Sequence, residues 1–592
     1  MYRAPLKDLQ FVLHDLLGDA ELKACARFSE YSRDLADSVL SEAARFAETV
    51  LDPLYRTADQ QGAKWTPEGV MTSPGFKDAY AKFAEGGWPS LCADPEYGGQ
   101  GMPRVLGTAV QELWASANLA FKLCPMLTTG SVELLERSGT PQLRELFLPK
   151  LVSGEWTGTM VLTEPQAGSD LAQVRTRAVP EGDHYRLFGQ KIFITYGEHD
   201  FTPNIVHMVL ARIEGAPAGV KGISLFVVPK YLVNPDGSLG ARNDVTCLSI
   251  EHKLGIHGSP TCVMGFGQKD GAIGYLLGEP NRGLEYMFIM MNAARLAVGL
   301  EGYSVAERAF QQAAEWARNR VQGKPPVASP DGRAPIIHHP DVKRMLLTMK
   351  SHTEAMRALA LYAAHQIDVG DHHPDKARAE AAAARASLLI PIVKGWCTES
   401  GIELTSLGIQ VHGGMGFIEE TGAAQPYRDV RIAAIYEGTT GIQANDLLNR
   451  KVGRDQGATM KALLDEAQKD VEALTAADLK AVRAGALEGL AALRRGVDVI
   501  VRQMGSEPAA AYAVAIPFLK LCGYALGGWL LARSAGIAER ALAAGATDRQ
   551  FLTGKIASAR FYADHILPQT LALARVVEQG SESVLETRAD LI

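Results

Sequence analysis

Between residues 22 and 151 the apolar positions recur three and four apart, as Phe46, Val50, Leu51 and Leu54 do, and this spacing predicts amphipathic helices. A glycine-dense loop, Pro95-Glu96-Tyr97-Gly98-Gly99-Gln100-Gly101, interrupts them. After Trp156 the pattern changes to short runs rich in β-branched and aromatic residues, at 185–188, 192–195, 205–213, 223–228, 245–250 and 261–266, bounded by Gly, Pro, Asp and Asn. These predict a mostly antiparallel β domain. No helix of crossover length separates the runs and no G-x-G-x-x-G follows a strand, so a Rossmann sheet is not expected. Helical spacing returns at Gly283, as in Met287, Met291, Leu296 and Leu300, and persists to Arg450 around a proline-rich loop at 323–340. The pattern thus divides the chain into an N-terminal extension (1–40), an N-terminal helical domain (41–158), a middle β domain (159–280), a helix-bundle domain (281–452) and an additional C-terminal helical domain (453–592).

Composition narrows the function classes. With 592 residues, 47% hydrophobic and 21% charged, the chain has material for several buried cores and is neither disordered nor a disulfide scaffold. The 67 acidic and 60 basic residues give a net charge of −7, which repels a phosphate backbone. From Gly453 onward 16 basic and 16 acidic residues balance, so the last domain carries no footprint for nucleic acid. Seven scattered cysteines with no C-x-x-C spacing fit a reducing compartment and a cytoplasmic location. Residues 1–18 include Asp8 and Asp15 and do not read as a signal peptide. The most apolar stretch, 509–532, is broken by Pro517, Lys520 and three glycines, so a buried core helix is expected and no integral membrane association. A lack of a basic amphipathic face there also argues against docking on a membrane surface.

Three segments carry candidate chemistry. In Leu162-Thr163-Glu164-Pro165-Gln166-Ala167-Gly168-Ser169-Asp170 a strand end meets a turn whose amides and hydroxyls could face one ligand, although an ordinary turn explains it as well. In Lys191-Ile192-Phe193-Ile194-Thr195, alternation places Phe193 and Thr195 on one strand face, where they could flank a planar ring or where Phe193 could pack a core. The third runs from Gln410-Val411-His412-Gly413-Gly414-Met415-Gly416-Phe417 through Arg428-Asp429 to Ile435-Tyr436-Glu437-Gly438-Thr439. Its glycines allow close backbone approach to a ligand, and Glu437, if buried, would be disfavoured as an anion and tuned as a proton acceptor. A surface glutamate is the plain alternative. His338-His339 and His372-His373 sit beside prolines with no further partners, so no metal site is expected. Met287, Met290 and Met291 either pack a core or line an apolar channel.

Six motifs in family order, Pro95-Glu96-Tyr97-Gly98-Gly99, Thr163-Glu164-Pro165-Gln166-Ala167-Gly168-Ser169-Asp170, Lys253-Leu254-Gly255, Gln410 with Gly413-Gly414, Arg428-Asp429 and Ile435-Tyr436-Glu437-Gly438-Thr439, resemble the acyl-CoA dehydrogenase family over residues 22–450. The opening Tyr2-Arg3-Ala4-Pro5-Leu6 and the extra C-terminal domain resemble the longer bacterial branch that includes 3-methylmercaptopropionyl-CoA dehydrogenase and broad-specificity fatty acyl-CoA enzymes. The resemblance implies a mainly α fold with a central β-barrel domain, a helix bundle and an added helical domain, enclosing FAD. It implies α,β-dehydrogenation of an acyl-CoA thioester, with electrons passed to electron-transfer flavoprotein, by a homo-oligomer, a dimer in the first instance. Glu437 matches the family base. Thr163, Ser169, Phe193, Thr195 and Thr439 match flavin-lining positions; Arg320, Gln410, Gly413 and Gly414 match residues that reach the FAD of a neighbouring subunit; Ser169, Arg295 and Gly438 match substrate contacts. Two departures stand out: Phe193 replaces a tryptophan of many relatives, and the Arg320 motif lacks its aromatic before glycine and is one residue shorter. Ala294 occupies the place where isovaleryl-type members carry their base, which favours Glu437 and a straight-chain substrate. An oxidase using oxygen directly, and a non-catalytic DNA-binding relative, are the rival readings.

Overall fold

Alternation and β-branching between residues 156 and 277 produce ten strands, after a short hairpin of β1 (Lys64–Thr66) and β2 (Gly69–Met71). They are β3 (Trp156–Val161), β4 (Arg177–Glu181), β5 (His184–Thr195), β6 (Asn204–Ile213), β7 (Ile223–Pro229), β8 (Tyr231–Val233), β9 (Leu239–Arg242), β10 (Val245–Ile250), β11 (Thr261–Phe266) and β12 (Ala272–Leu277). The computed structural model describes residues 1–326 and 333–592; the centre of the loop expected at 323–340, Pro330 included, lies outside the described residues.

Strands β5, β12, β7, β6 and β4 pair in a closed ring, because β4 bonds to both β5 and β6. Closure leaves the ring itself without a free edge, and the sheet continues beyond it through β11 to β10 and through β3. The buried core of this sheet includes Leu187, Val209, Phe226, Val228 and Phe266. β3 extends the sheet beside β6 in parallel, and its Thr157 and Thr159 hydroxyls, unreadable as core from hydropathy, meet His199 Nε2 at 2.8 Å and His207 Nδ1 at 2.7 Å. The runs expected at 185–188 and 192–195 are one strand, β5. Its first half belongs to the ring, while residues 189–195 pair with β11.

The chain forms two compact units, one of residues 45–102 and 117–297 and one of residues 1–44, 103–116 and 298–592. The first holds the sheet. The second is helical and contains both the bundle helices Pro340–His372 and Lys376–His412 and the C-terminal helices Lys480–Ser506, Ala515–Ala543, Arg549–His565 and Pro568–Gln579. Ala515–Ala543 is long and apolar enough to cross a membrane, yet 83% of its most apolar stretch is buried inside the protein. Gly523 explains how: a Cβ there would meet Trp396 Cγ at 2.1 Å, so only glycine lets this helix close on Lys376–His412.

Candidate active site

In the β unit, the loop after β3 is laid against the outer half of β5. Ile192 N donates to Thr163 O at 2.9 Å, and Lys191 Nζ, fully buried, reaches Leu162 O at 2.8 Å and Glu164 Oε1 at 2.9 Å. Glu164 is the hub of this loop. Its carboxylate accepts from Arg175 N at 2.8 Å, Thr176 N at 3.0 Å, Thr176 Oγ1 at 2.6 Å and Gln166 Nε2 at 2.6 Å. Burial disfavours its charge, but Lys191 and these donors outweigh burial and bring the carboxyl down to about 2; burial brings Lys191 down to about 8 against the pull of Glu164.

That scaffold presents Thr163 half-buried beside the strand, Ser169 exposed on the loop, and Phe193 and Thr195 at the strand end. Simple alternation does not place the last two. The β5–β11 register shifts opposite Phe193, whose φ of 60° is left-handed, so the strand bulges and its ring is left 58% exposed. A bare aromatic face near two hydroxyls and an open loop glycine, Gly168, fits a planar cofactor with polar edges. On the helix Gly283–Asn319, Arg295 and Ala294 are buried, with Arg295 Nη1 at 3.4 Å from Asn292 Oδ1. Met287 and Met290 are buried, and Met290 Cγ lies 3.1 Å from where Gly130 would carry a Cβ, so these two pack a core.

The other expected residues lie in the helical unit. Lys376–His412 ends at Gly413, which takes a left-handed φ of 62°, and added Cβ atoms at Gly413 or Gly414 would meet nothing within 4 Å. The Arg320 guanidinium lies 6.0 Å over the ring of Trp316, which stacks on His412 at 5.2 Å. Trp316 and His412, outside the expected site residues, thus link Arg320 to the last residue of the helix that leads into the glycine turn. An exposed cation, an amide and an unobstructed backbone form a surface that suits a phosphate-bearing group.

Glu437 has φ 56°, a strained conformation for a residue with a side chain, and is half-buried where the sequence pattern allowed for full burial. The turn around it is held from several sides. Gln443 Nε2 donates to Glu437 O at 3.1 Å and Gly438 O at 3.2 Å; Lys394 Nζ donates to Gly438 O at 2.7 Å; Thr440 Oγ1 donates to Glu399 Oε1 at 2.6 Å; Tyr436 hydroxyl donates to Glu301. Thr439 does not extend into space: its Oγ1 caps the helix Thr440–Asp446 by accepting from Ile442 N at 3.3 Å. Lys394 and Gln443 belong to none of the sequence motifs. For Lys394 a signal was present, a lone lysine in the apolar run 388–397.

Residues 34–155, 159–268 and 281–452 match the N-terminal, middle and C-terminal domain models of acyl-CoA dehydrogenase, and 460–588 match a model described as acetyl-CoA dehydrogenase C-terminal like. The chain is 46% identical to 3-methylmercaptopropionyl-CoA dehydrogenase of Ruegeria pomeroyi, with 99% of both chains covered. It belongs to the acyl-CoA dehydrogenase family. Broad-specificity linear acyl-CoA dehydrogenase FadE5 of Mycobacterium tuberculosis is 35% identical, covering 99% of this chain and 98% of that one. The fold is also that of a solved acyl-CoA dehydrogenase of Bacillus anthracis, with TM-score 0.74 at 20% identity over 97% of this chain and 92% of the other. As a member of this family the chain is an oxidoreductase acting on acyl-CoA.

Proposed function

We propose that the protein removes the α proton and a β hydride from a straight-chain acyl-CoA or 3-methylmercaptopropionyl-CoA, giving the trans-2-enoyl-CoA. The observation that carries this reading is the 46% identity over 99% of both chains with an enzyme named for that thioester, supported by the linear acyl-CoA specificity in the name of the second relative. The cofactor is FAD, which when bound supplies the acceptor for the departing hydride. Thr163, Ser169, Phe193 and Thr195 would hold its ring system, the exposed Phe193 offering a ring face and the threonines their hydroxyls. Arg320, Gln410, Gly413 and Gly414 bind the pyrophosphate and adenosine of a second subunit's cofactor, the assembly being a homodimer; exposed Met415, Phe417 and Ile418 beside them supply apolar surface for that contact. Glu437 Oε takes the α proton, and the left-handed turn fixes where that carboxylate stands. Arg295, Ser169 and Gly438 contact the thioester. Electrons then pass to electron-transfer flavoprotein.

The test is a panel of CoA thioesters assayed anaerobically with an artificial acceptor and then with oxygen alone. Turnover only with the acceptor supports a dehydrogenase; equal turnover with oxygen identifies an oxidase; no turnover with any thioester refutes the reading. Glu437→Gln keeps shape but not proton affinity, so flavin content should persist while flavin reduction by saturating acyl-CoA falls by roughly 10²- to 10⁴-fold. An unchanged rate would place the base elsewhere.

A further inference from the structure

Lys394 lies on the helix Lys376–His412 among Ile390, Pro391, Ile392, Val393 and Trp396, and is itself fully buried. A buried ammonium is expensive unless it is put to use by groups that need its charge. One such use is visible: Lys394 Nζ donates at 2.7 Å to the carbonyl of Gly438, the residue after Glu437, and that same carbonyl also accepts from Gln443 Nε2. Glu437 has a φ of 56°, disfavoured for a residue with a side chain, while the φ of 90° at Gly438 is open to glycine, so these donors hold the turn against the preference of Glu437. The Gly438 carbonyl, accepting from a cation and an amide together, cannot rotate freely, and Gln443 Nε2 also holds the Glu437 carbonyl, so both peptides that follow the Glu437 Cα are tied down and limit how its side chain can turn.

We propose that Lys394 is a positioning residue for Glu437, fixing the strained turn so that the carboxylate meets the substrate α proton; the inference rests on the reading of Glu437 as the base. Gln443 is its neutral partner in the same task. Small displacements of a reacting group are costly, a misplacement of about 1 Å being worth up to about 100-fold.

The experiment compares Lys394→Met, Lys394→Arg, Gln443→Leu and Glu437→Gln in the flavin-loaded enzyme, with hexanoyl-CoA and its α-deuterated form. Lys394→Met should retain flavin and reduce it about 10- to 100-fold more slowly at saturating substrate, with KM near wild type and a larger α-deuterium isotope effect. Backbone hydrogen exchange across residues 436–440, which needs no turnover, should quicken, and Lys394→Arg should restore part of the rate. A wild-type rate and isotope effect in Lys394→Met, beside a Glu437→Gln enzyme that has lost its rate, overturns the inference and leaves the base in place. A wild-type rate in Glu437→Gln removes the base itself, and this inference with it. If Lys394→Met does not fold, Gln443→Leu decides: slowed reduction with a raised isotope effect supports the assignment, and a wild-type rate overturns it.

Discussion

Lys191 and Glu164 show how two residues of separate motifs become one device. Each is buried, and each makes the burial of the other tolerable; the carboxylate then has oxygen left over for Thr176, Arg175 and Gln166, which is what shapes the loop carrying Thr163 and Ser169. Removing one partner of a buried, hydrogen-bonded pair commonly costs about 3–5 kcal/mol because the other charge is stranded. Glu164→Gln, which keeps the volume, should therefore lower the stability of the β unit by about that amount and loosen flavin. Thermal unfolding and flavin content check this, and an unchanged melting temperature would show that Lys191 finds its stabilisation elsewhere.

Among elements, the helix Arg104–Ser138 begins on a buried carboxylate: Asp368 accepts from Arg104 N and Val105 N, both at 2.8 Å. Burial nevertheless dominates and pushes its carboxyl up to about 7, against those two donors. The ordinary value is about 3.9, so between about pH 4 and pH 7 the folded state holds a proton that the unfolded chain has released. Stability from this group is complete below that window and is lost as pH rises through it. Glu112, raised to about 7 by burial against the attraction of Arg357, adds a slope of the same sign. Asp368→Asn should make the fall in melting temperature from pH 4 to pH 7 shallower, with a pH-independent loss of about 1 kcal/mol from the weakened cap; melts across that range would reveal an unaltered slope if the group does not titrate there.

At the scale of the molecule, the helical unit gathers the two ends of the chain. Arg357 bonds Asp8 at 2.5 Å, Glu112 at 2.5 Å and Glu307 at 2.9 Å, and Lys555 bonds Asp8 at 2.6 Å and Glu354 at 3.0 Å, all buried. Burial opposes the Asp8 charge, but Lys555 and Arg357 hold its carboxyl well below the usual range. Lys7 to Asp548 and Arg533 to the Leu16 carbonyl continue the connection between the first residues and the C-terminal helices. Asp8→Ala should then destabilise the whole helical unit by about 3–5 kcal/mol rather than fray its terminus, seen as a lowered denaturant midpoint for probes in both the bundle and the C-terminal helices; loss confined to residues 1–18 would contradict it. A second prediction concerns assembly. Arg320→Ala should leave the melting temperature of the flavin-free chain unchanged, since the guanidinium is exposed and, among the described residues, its contact is with the Trp316 ring, while weakening FAD retention in the proposed dimer; full retention by a stable monomer would refute the shared site.

Much was determined by the sequence alone, because period, β-branching and turn chemistry act locally. The change from 3.6-residue to two-residue spacing after Trp156 marked the sheet, Pro517 and the glycines marked Ala515–Ala543 as a core helix, and six ordered motifs marked the family. What stayed hidden involves residues distant in sequence or backbone that departs from its period. Alternation put Phe193 and Thr195 on one face, but β5 is shared between the ring and β11 and bulges where it leaves the ring, so pairing with β11 rather than periodicity decides where Phe193 points. Gly523 could be read as a helix breaker; only the approach of Trp396 makes it a packing requirement. The exposure of Glu437 was left conditional in the sequence, and tertiary structure resolved it as a half-buried residue on a left-handed turn, held by Lys394 from a helix that ends 25 residues before it. Charge pairing, bulging and close helix approach are decided by which segments meet, and that information appears only once the chain has folded.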